Sequence, residues 1–258
     1  MRHVAALVVL LAAPLSAQSL TWNLGNFSGN ANVPNGGCAF ITPGGANGQG
    51  NAASCSAIGS TSPSLSLTAY ALNGSSSSSA LQSGTVMSWG SYGVGVCNPG
   101  EYANCNTPNH ATDNVGTFTD FLLLQFNATV MLSSVALGWS YGDADFSVLQ
   151  WVGPGTPGTL VGTTASALSS GNWSVVTTVN GSGAGNYVLN NSAAASSVWA
   201  IAAYNTAIAT RNGADAGDDA FKISGVTAAI VPEPSTIALM VAGLIGVGAV
   251  ARRRRRTR

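Results

Sequence analysis

Phe118-Thr-Asp-Phe-Leu-Leu-Leu-Gln-Phe126 runs through Asn127-Ala-Thr129 into Val130-Met-Leu-Ser-Ser-Val-Ala-Leu-Gly-Trp-Ser140, and these residues set the fold class. Both runs are dense in β-branched, aromatic and leucine side chains, and neither holds the Ala/Glu/Lys material of a surface helix. Two strong strands joined by a short polar turn read as a central antiparallel hairpin. In the second run Leu132 is followed by Val135, Leu137 and Trp139. The last three share one face by the two-residue period of a strand, and that face is expected to be core.

Outward from this pair, short apolar or alternating runs bounded by turn residues recur. They are Leu20–Phe27, Ser64–Leu72, Thr85–Tyr92, Asp145–Trp151, Trp173–Val179, Tyr187–Asn190, Val198–Tyr204 and Ala220–Ile230. The chain is rich in Gly, Ser, Thr, Asn and Ala and nearly lacks Lys and Glu, so long amphipathic helices have little to form from. The expectation is an all-β ectodomain over residues 18–230, an antiparallel two-layer β-sandwich of jelly-roll type. The Gly/Asn/Pro-rich stretch Gly29–Ser62 and the serine run Ser75–Ser79 read as surface loops.

The two ends differ from this middle. Residues 1–17 have one early charge at Arg2, an apolar centre and a small-residue finish at Ala17, which is the build of a secretory signal peptide. Residues 231–258 have three parts. Val231, Pro232, Glu233, Pro234, Ser235 and Thr236 come first. An uncharged apolar stretch expected to form a transmembrane helix over 236–251 follows. Arg252, Arg253, Arg254, Arg255 and Arg256 then open a basic tail at 252–258. Apolar residues partition into hydrocarbon, and an arginine run stays on the cytoplasmic side as a stop-transfer signal. From Ser235 to Ala251 there are 17 residues. At about 1.5 Å each they reach roughly 25 Å, short of a hydrocarbon core near 30 Å, so a transient stop fits better than a lasting anchor.

The motif, helix and arginine cluster together resemble the PEP-CTERM protein-sorting signal of Gram-negative bacteria. That resemblance implies recognition by a membrane-embedded exosortase, transient residence in the inner membrane, cleavage near Pro-Glu-Pro, and delivery to the cell surface or the extracellular polysaccharide matrix. A second likeness covers roughly residues 85–175. It rests on Gly93-Val-Gly-Val-Cys-Asn98, Asn109-His-Ala-Thr-Asp-Asn114, Asp120–Phe126, Leu137-Gly-Trp-Ser140, Asp143-Ala-Asp-Phe-Ser-Val-Leu149 and Gly171-Asn-Trp173, in that order. They are similar to a family of exosortase-dependent surface proteins. The family implies location and transport, and no catalytic activity.

Subtracting the ends changes the charge balance. Of nine Lys and Arg only Arg211 and Lys222 lie between residues 18 and 231, against eight of the nine acids, so a formally neutral chain contains a domain of net charge about −6. Nucleic acid is excluded as a partner, because phosphate neutralisation needs clustered Lys and Arg.

Four cysteines, Cys38, Cys55, Cys97 and Cys105, are even in number in an exported chain, so disulfides are expected. Three pairings exist. Cys38–Cys55 with Cys97–Cys105 is favoured, since each closes a loop of Gly, Asn and Pro. Their spacing matches no zinc knuckle. Asp113, Asp120, Asp143 and Asp145 crowd the strongest strands, and Asp215, Asp218 and Asp219 form a second group. Oxygen-rich loops suit calcium, with Asp143, Asp145, Asp218 and Asp219 as the candidate ligands, against the alternative that these are turn-formers and caps.

His110 is the sole histidine of residues 18–231, and no Gly-x-Ser-x-Gly elbow accompanies it, so it reads as a hydrogen-bonded loop residue. Glu101 has no evident carboxylate partner for a glycosidase pair. Trp139 reads as buried, whereas Trp89, Tyr92, Tyr102 and Trp151 are open as sugar-stacking faces. The resulting expectation is a non-enzymatic surface or matrix protein with a structural or adhesive role in surface polysaccharide or biofilm. A secreted polysaccharide-active enzyme and a permanently membrane-anchored protein are the alternatives.

Overall fold

The structure is a computed structural model that describes residues 18–27, 36–40, 49–50, 52–101, 110–189, 195–211, 213–231, 242–248 and 251–253. The leader expected at 1–17 lies outside them. In chain order the strands are β1 (Ser19–Asn23), β2 (Gly37–Phe40), β3 (Gln49–Gly50), β4 (Ala52–Ala57), β5 (Ser60–Asn73), β6 (Leu81–Ser83), β7 (Thr85–Ser88) and β8 (Val94–Cys97). They continue with β9 (Thr112–Asp113), β10 (Phe118–Gly142), β11 (Phe146–Trp151), β12 (Trp173–Val179), β13 (Gly185–Val188), β14 (Ser196–Ala203) and β15 (Asp219–Ile230). A single helical turn, α1 (Ala165–Leu168), is capped by Thr164, whose Oγ1 accepts from the Ala167 N–H.

The stretch read as a hairpin is one strand. β10 runs unbroken for 25 residues, and Asn127-Ala-Thr129 stays extended. A tight hairpin turn favours Gly or another residue at positive φ, and none is present there. Asn127 instead accepts the Ser64 N–H at 2.8 Å through its Oδ1.

The consequence is a strand with two sets of neighbours. Along one edge β10 pairs with β5 over Phe118–Phe126, then with β15 from Val130 to Gly142. Along the other it pairs with β14 and then with β13. The hydrogen-bond path that leaves β10 through β5, β4 and β1 therefore returns to it through β15, and the all-antiparallel strands form one continuous, folded-over sheet.

The first half of β10 is buried on both faces. Leu122, Leu124 and Phe126 face the main core, packed with Trp22, Leu67, Val135, Trp199, Phe221 and Val226. Phe121 and Leu123 face a second core with Leu149, Val198, Leu168 and Trp173. Double-sided burial is why this segment reads as an unalternating apolar run. Contacts across the main core are aromatic: Trp22 meets Phe126 edge-on at 4.9 Å, and Phe146 meets Phe221 at 5.7 Å.

Bulges set the phase of the second half. Register shifts fall between Leu132 and Ser134 and again between Leu137 and Trp139. The first accounts for the three-residue step from Leu132 to Val135, both in the core. The second places Gly138 as the extra residue, so Trp139 turns to the outer face and is not core, contrary to its place in the alternation. No side chain fits at 138, because a Cβ there would sit 2.6 Å from the Tyr92 carbonyl oxygen.

The stretch Gly29–Ser62 is not merely a surface loop. It contains β2 and β4, and Ala53, Cys55 and Ala57 alternate into the core. Cys38 and Cys55 lie opposite each other in that pairing and are disulfide-bonded, with Cα atoms 4.0 Å apart. Cys97 is disulfide-bonded as well, and Cys105 lies outside the described residues. The serine run is a surface turn, with Ser75–Ser78 exposed and Ser79 buried.

Among the described residues no helix is long and apolar enough to cross a membrane. Residues 242–248 and 251–253 are helical and exposed. Truncating Phe146, fully buried between the walls, is expected to lower the unfolding free energy by about 3–5 kcal/mol in urea titrations. Tyr141→Ala, on the outer face, is expected to change it by no more than about 0.5 kcal/mol.

Candidate functional site

The Gly138 bulge creates an aromatic cluster on the outer face. Trp139 pairs across the sheet with Lys222, and Tyr141 follows two residues on along the same face. The Trp139 and Tyr141 rings are within 12° of parallel, with centroids 6.5 Å apart. From the other side comes a short turn, Gly90–Tyr92, that presses against β10 and β15. Gly93 allows that approach: its φ is +102°, and a Cβ there would lie 2.2 Å from the Ile223 carbonyl oxygen. The turn delivers Trp89 and Tyr92. Tyr92 is 53% exposed and Tyr141 75% exposed, so their ring faces meet solvent.

Lys222 sits among these rings. Its ammonium lies 4.2 Å from the Trp139 centroid, 5.1 Å from Trp89 and 5.7 Å from Tyr92, and the residue is only 4% exposed. Ring quadrupoles attract the cation but accept none of its three N–H bonds fully. Burial pulls its pKa down to about 8, so it stays charged at neutral pH.

His110 stacks on Trp89 at 3.5 Å and is 7% exposed. The hydrogen bond expected of this loop residue is missing at Nδ1, which has no partner, and the Trp89 indole Nε1 has none either. Burial, and then the charge of Lys222, push the His110 pKa down to about 4. The imidazole is neutral at working pH.

Acidic side chains gather in two other places. Oxygens of Glu101, Asp113 and Asp120 lie within 4.8 Å of one another, so Glu101 has the carboxylate partners its isolation in the sequence seemed to deny it. Asn98 organises this group: its Nδ2 donates to Asp120 Oδ1 at 3.1 Å, and its own N–H donates to Glu101 Oε2 at 3.3 Å. The Asp113 N–H donates to Asp120 Oδ2 at 3.2 Å. Desolvation raises the pKa of Glu101 to about 7 and, with help from the Glu101 charge, that of Asp113 to about 8. Asp120, fully buried, is raised well above the carboxylate range for the same reason.

The second group is Asp143, Asp145 and Asp219, three of the four residues expected to hold calcium. Asp218 is not in it. Its side chain is exposed, and only its carbonyl takes part, accepting the Asp143 N–H at 3.3 Å. Asp145 accepts from the Gly181 N–H at 2.8 Å and the Asp215 N–H at 3.0 Å, and Asp219 accepts from the Asp145 N–H at 2.6 Å and from Asn114 Nδ2. These carboxylates therefore tie loops together, as turn-forming acids do. Desolvation raises the pKa of Asp219 to about 7 and shifts that of Asp145 upward. Three converging carboxylates can share protons or meet a hard divalent cation.

Trp151, the remaining described candidate for a sugar face, meets Trp173 edge-on at 5.4 Å, and Trp173 is buried. They offer no open pair of faces. Tyr102 lies outside the described residues, as do Pro232 to Thr236 and Arg254 to Arg256. Val231 closes the described domain, its N–H donating to the Thr129 carbonyl at 3.0 Å. Sequence reasoning missed the cluster around Lys222. The available signals were a lone lysine between Phe221 and Ile223 of an otherwise apolar strand, and a glycine directly before Trp139.

Carboxylates held protonated stabilise the fold below their ordinary values near 4, and that stability is lost as pH rises through 7 to 8. His110 acts oppositely, but only below its ordinary value near 6.5. In chelator the melting midpoint is therefore expected to fall between pH 6.5 and 8, with Asp120→Asn flattening the fall. Calcium that restores the midpoint at pH 8 would assign a cation to these acids, and an Asp219→Asn variant that still responds would place it at Glu101, Asp113 and Asp120.

No curated protein and no solved structure matches this chain. Residues 231–256 match the family model described as the PEP-CTERM protein-sorting motif, beginning one residue after β15 ends. The motif indicates export across the inner membrane and exosortase-dependent placement at the surface or outside the cell. The chain therefore carries a PEP-CTERM protein-sorting motif directly after its β-domain.

Proposed function

We propose that this is a non-enzymatic surface or extracellular-matrix protein whose two-layer, jelly-roll-like ectodomain has a structural and adhesive role in surface polysaccharide. The apolar residues from 236 to 251 serve as a transient inner-membrane span, held by Arg252–Arg256 until an exosortase cleaves near Pro232–Pro234. The observation that carries the adhesive reading is the near-parallel Trp139–Tyr141 pair, with Tyr141 and the neighbouring Tyr92 exposed on a charge-poor domain. Sugar rings present apolar C–H faces that stack on such rings, whereas an acidic domain with two basic residues has little else to grip a polymer with.

The enzyme alternative draws on Glu101, Asp113 and Asp120, whose raised pKa values suit acid–base work. Their setting speaks against it. Asp113 and Asp120 are 2% and 0% exposed, so among the described residues two of the three carboxylates are shielded from a polymer in solvent.

Mass spectrometry of surface-extracted protein is expected to find the C-terminus near Pro232–Pro234, and an intact arginine tail in the mature form would overturn the sorting reading. The extracted protein is expected to sediment with extracellular polysaccharide and to leave it chemically unchanged. Release of reducing sugar, abolished by Glu101→Gln, would establish the enzyme instead.

A further inference from the structure

The cluster around Lys222 holds more than exposed rings. Two buried polar atoms that should have hydrogen-bond partners meet there without them, the Trp89 Nε1–H and the His110 Nδ1. Beside them the Lys222 ammonium lies over three ring faces. A buried polar group left unpaired costs about 1–3 kcal/mol, and each calls for an explanation. Two at one spot, beside the near-parallel Trp139–Tyr141 pair and the Lys222 ammonium, call for one explanation in common.

The missing partner can be described chemically. Lys222 and Trp89 donate, so it must accept. His110 is neutral, so its Nδ1 either accepts or donates according to tautomer, and a group that does both satisfies it. Hydroxyls do both, and anions only accept. The surrounding charge also selects: eight acids against two bases between residues 18 and 231 repel a polyanion, and Lys222 alone does not reverse that. An apolar face is required as well, since Trp139 and Tyr141 stand side by side with Tyr141 largely open.

We infer that Lys222, Trp89 and His110, rimmed by Tyr92, Trp139 and Tyr141, form the glycan subsite of this protein, and that its ligand is an uncharged polysaccharide. A pyranose ring lies against the open face of Tyr141 beside Trp139, and its hydroxyls bond the Lys222 ammonium, with Trp89 and His110 packed behind it. The Gly90–Tyr92 turn, anchored through Gly93, forms one wall of the subsite. This assignment rests on the adhesive reading above and gives it a site and a ligand class.

The test uses protein released from the cell surface and immobilised neutral polysaccharides, glucans and mannans, beside acidic ones, alginate and polygalacturonate. Neutral polymers are expected to bind, with Tyr141→Ala and Trp139→Ala each weakening retention by about tenfold or more. Lys222→Met is expected to weaken it comparably, and Trp151→Ala to leave it unchanged. Tyr141→Ala carries the test if the buried variants fail to fold, because that side chain is 75% exposed. Binding that survives Tyr141→Ala and Lys222→Met overturns this site and leaves the adhesive role standing. Preference for the acidic polymers overturns the ligand class. Failure of the unaltered protein to bind any polysaccharide removes the adhesive role itself.

Discussion

A strand of 25 residues that does not turn must belong to more than one neighbourhood, and β10 is such a strand. Its hydrogen-bonding edges pass from β5 to β15 on one side and from β14 to β13 on the other, which is what folds a single sheet over into facing walls. Each wall's position depends on the other because the same backbone runs through both. The two cores follow from it, since Leu122 and Phe121, adjacent in sequence, anchor different ones. The outer site follows as well, because Trp139 and Tyr141 are the continuation of that strand past its last bulge.

Most strands were legible as runs of β-branched and aromatic residues between turns, and Trp173–Val179 matches β12 to the residue. What escaped did so for identifiable reasons. Apart from Phe40, β2 and β4 are built from Gly, Ala, Ser and Cys, whose small side chains look like loop material even while Ala53, Cys55 and Ala57 alternate inward. The supposed hairpin failed because a polar triplet is evidence of exposure, and Asn127 is exposed within a strand. Trp139 failed because parity counting assumes an unbroken ladder, and Gly138 breaks it. The convergence of Glu101 with Asp113 and Asp120 depends on where β9 crosses β15, which no spacing in the sequence encodes.

Charge in this domain is scarce, and much of it is buried. Asp113, Asp120, Asp145, Asp219 and Lys222 are all at most 4% exposed. Desolvation moves their pKa values toward neutrality of the group, the acids upward and the lysine downward, so the interior carries less charge than the formula suggests. Lys222 stands apart from the acids in having rings instead of carboxylates around it. An ion pair would have neutralised it and bound its protons. The aromatic enclosure lowers its pKa to about 8, still above neutral pH, and leaves the ammonium poorly solvated and short of acceptors, which is a receptive state for a hydroxyl.

The two ends of the domain lie side by side: Ile230 donates its N–H to the Gln18 carbonyl at 2.9 Å, and Ser19 pairs with Ala229. The chain thus enters and leaves the sheet at a single corner, and among the described residues no strand lies before residue 18 or after 231. Lys222 is eight residues up β15 from Ile230, roughly 26 Å along the strand at about 3.3 Å per residue, so the ring cluster and the start of the sorting motif lie far apart on one strand. A cut just past Val231 would therefore leave the cluster and the sheet that carries it whole.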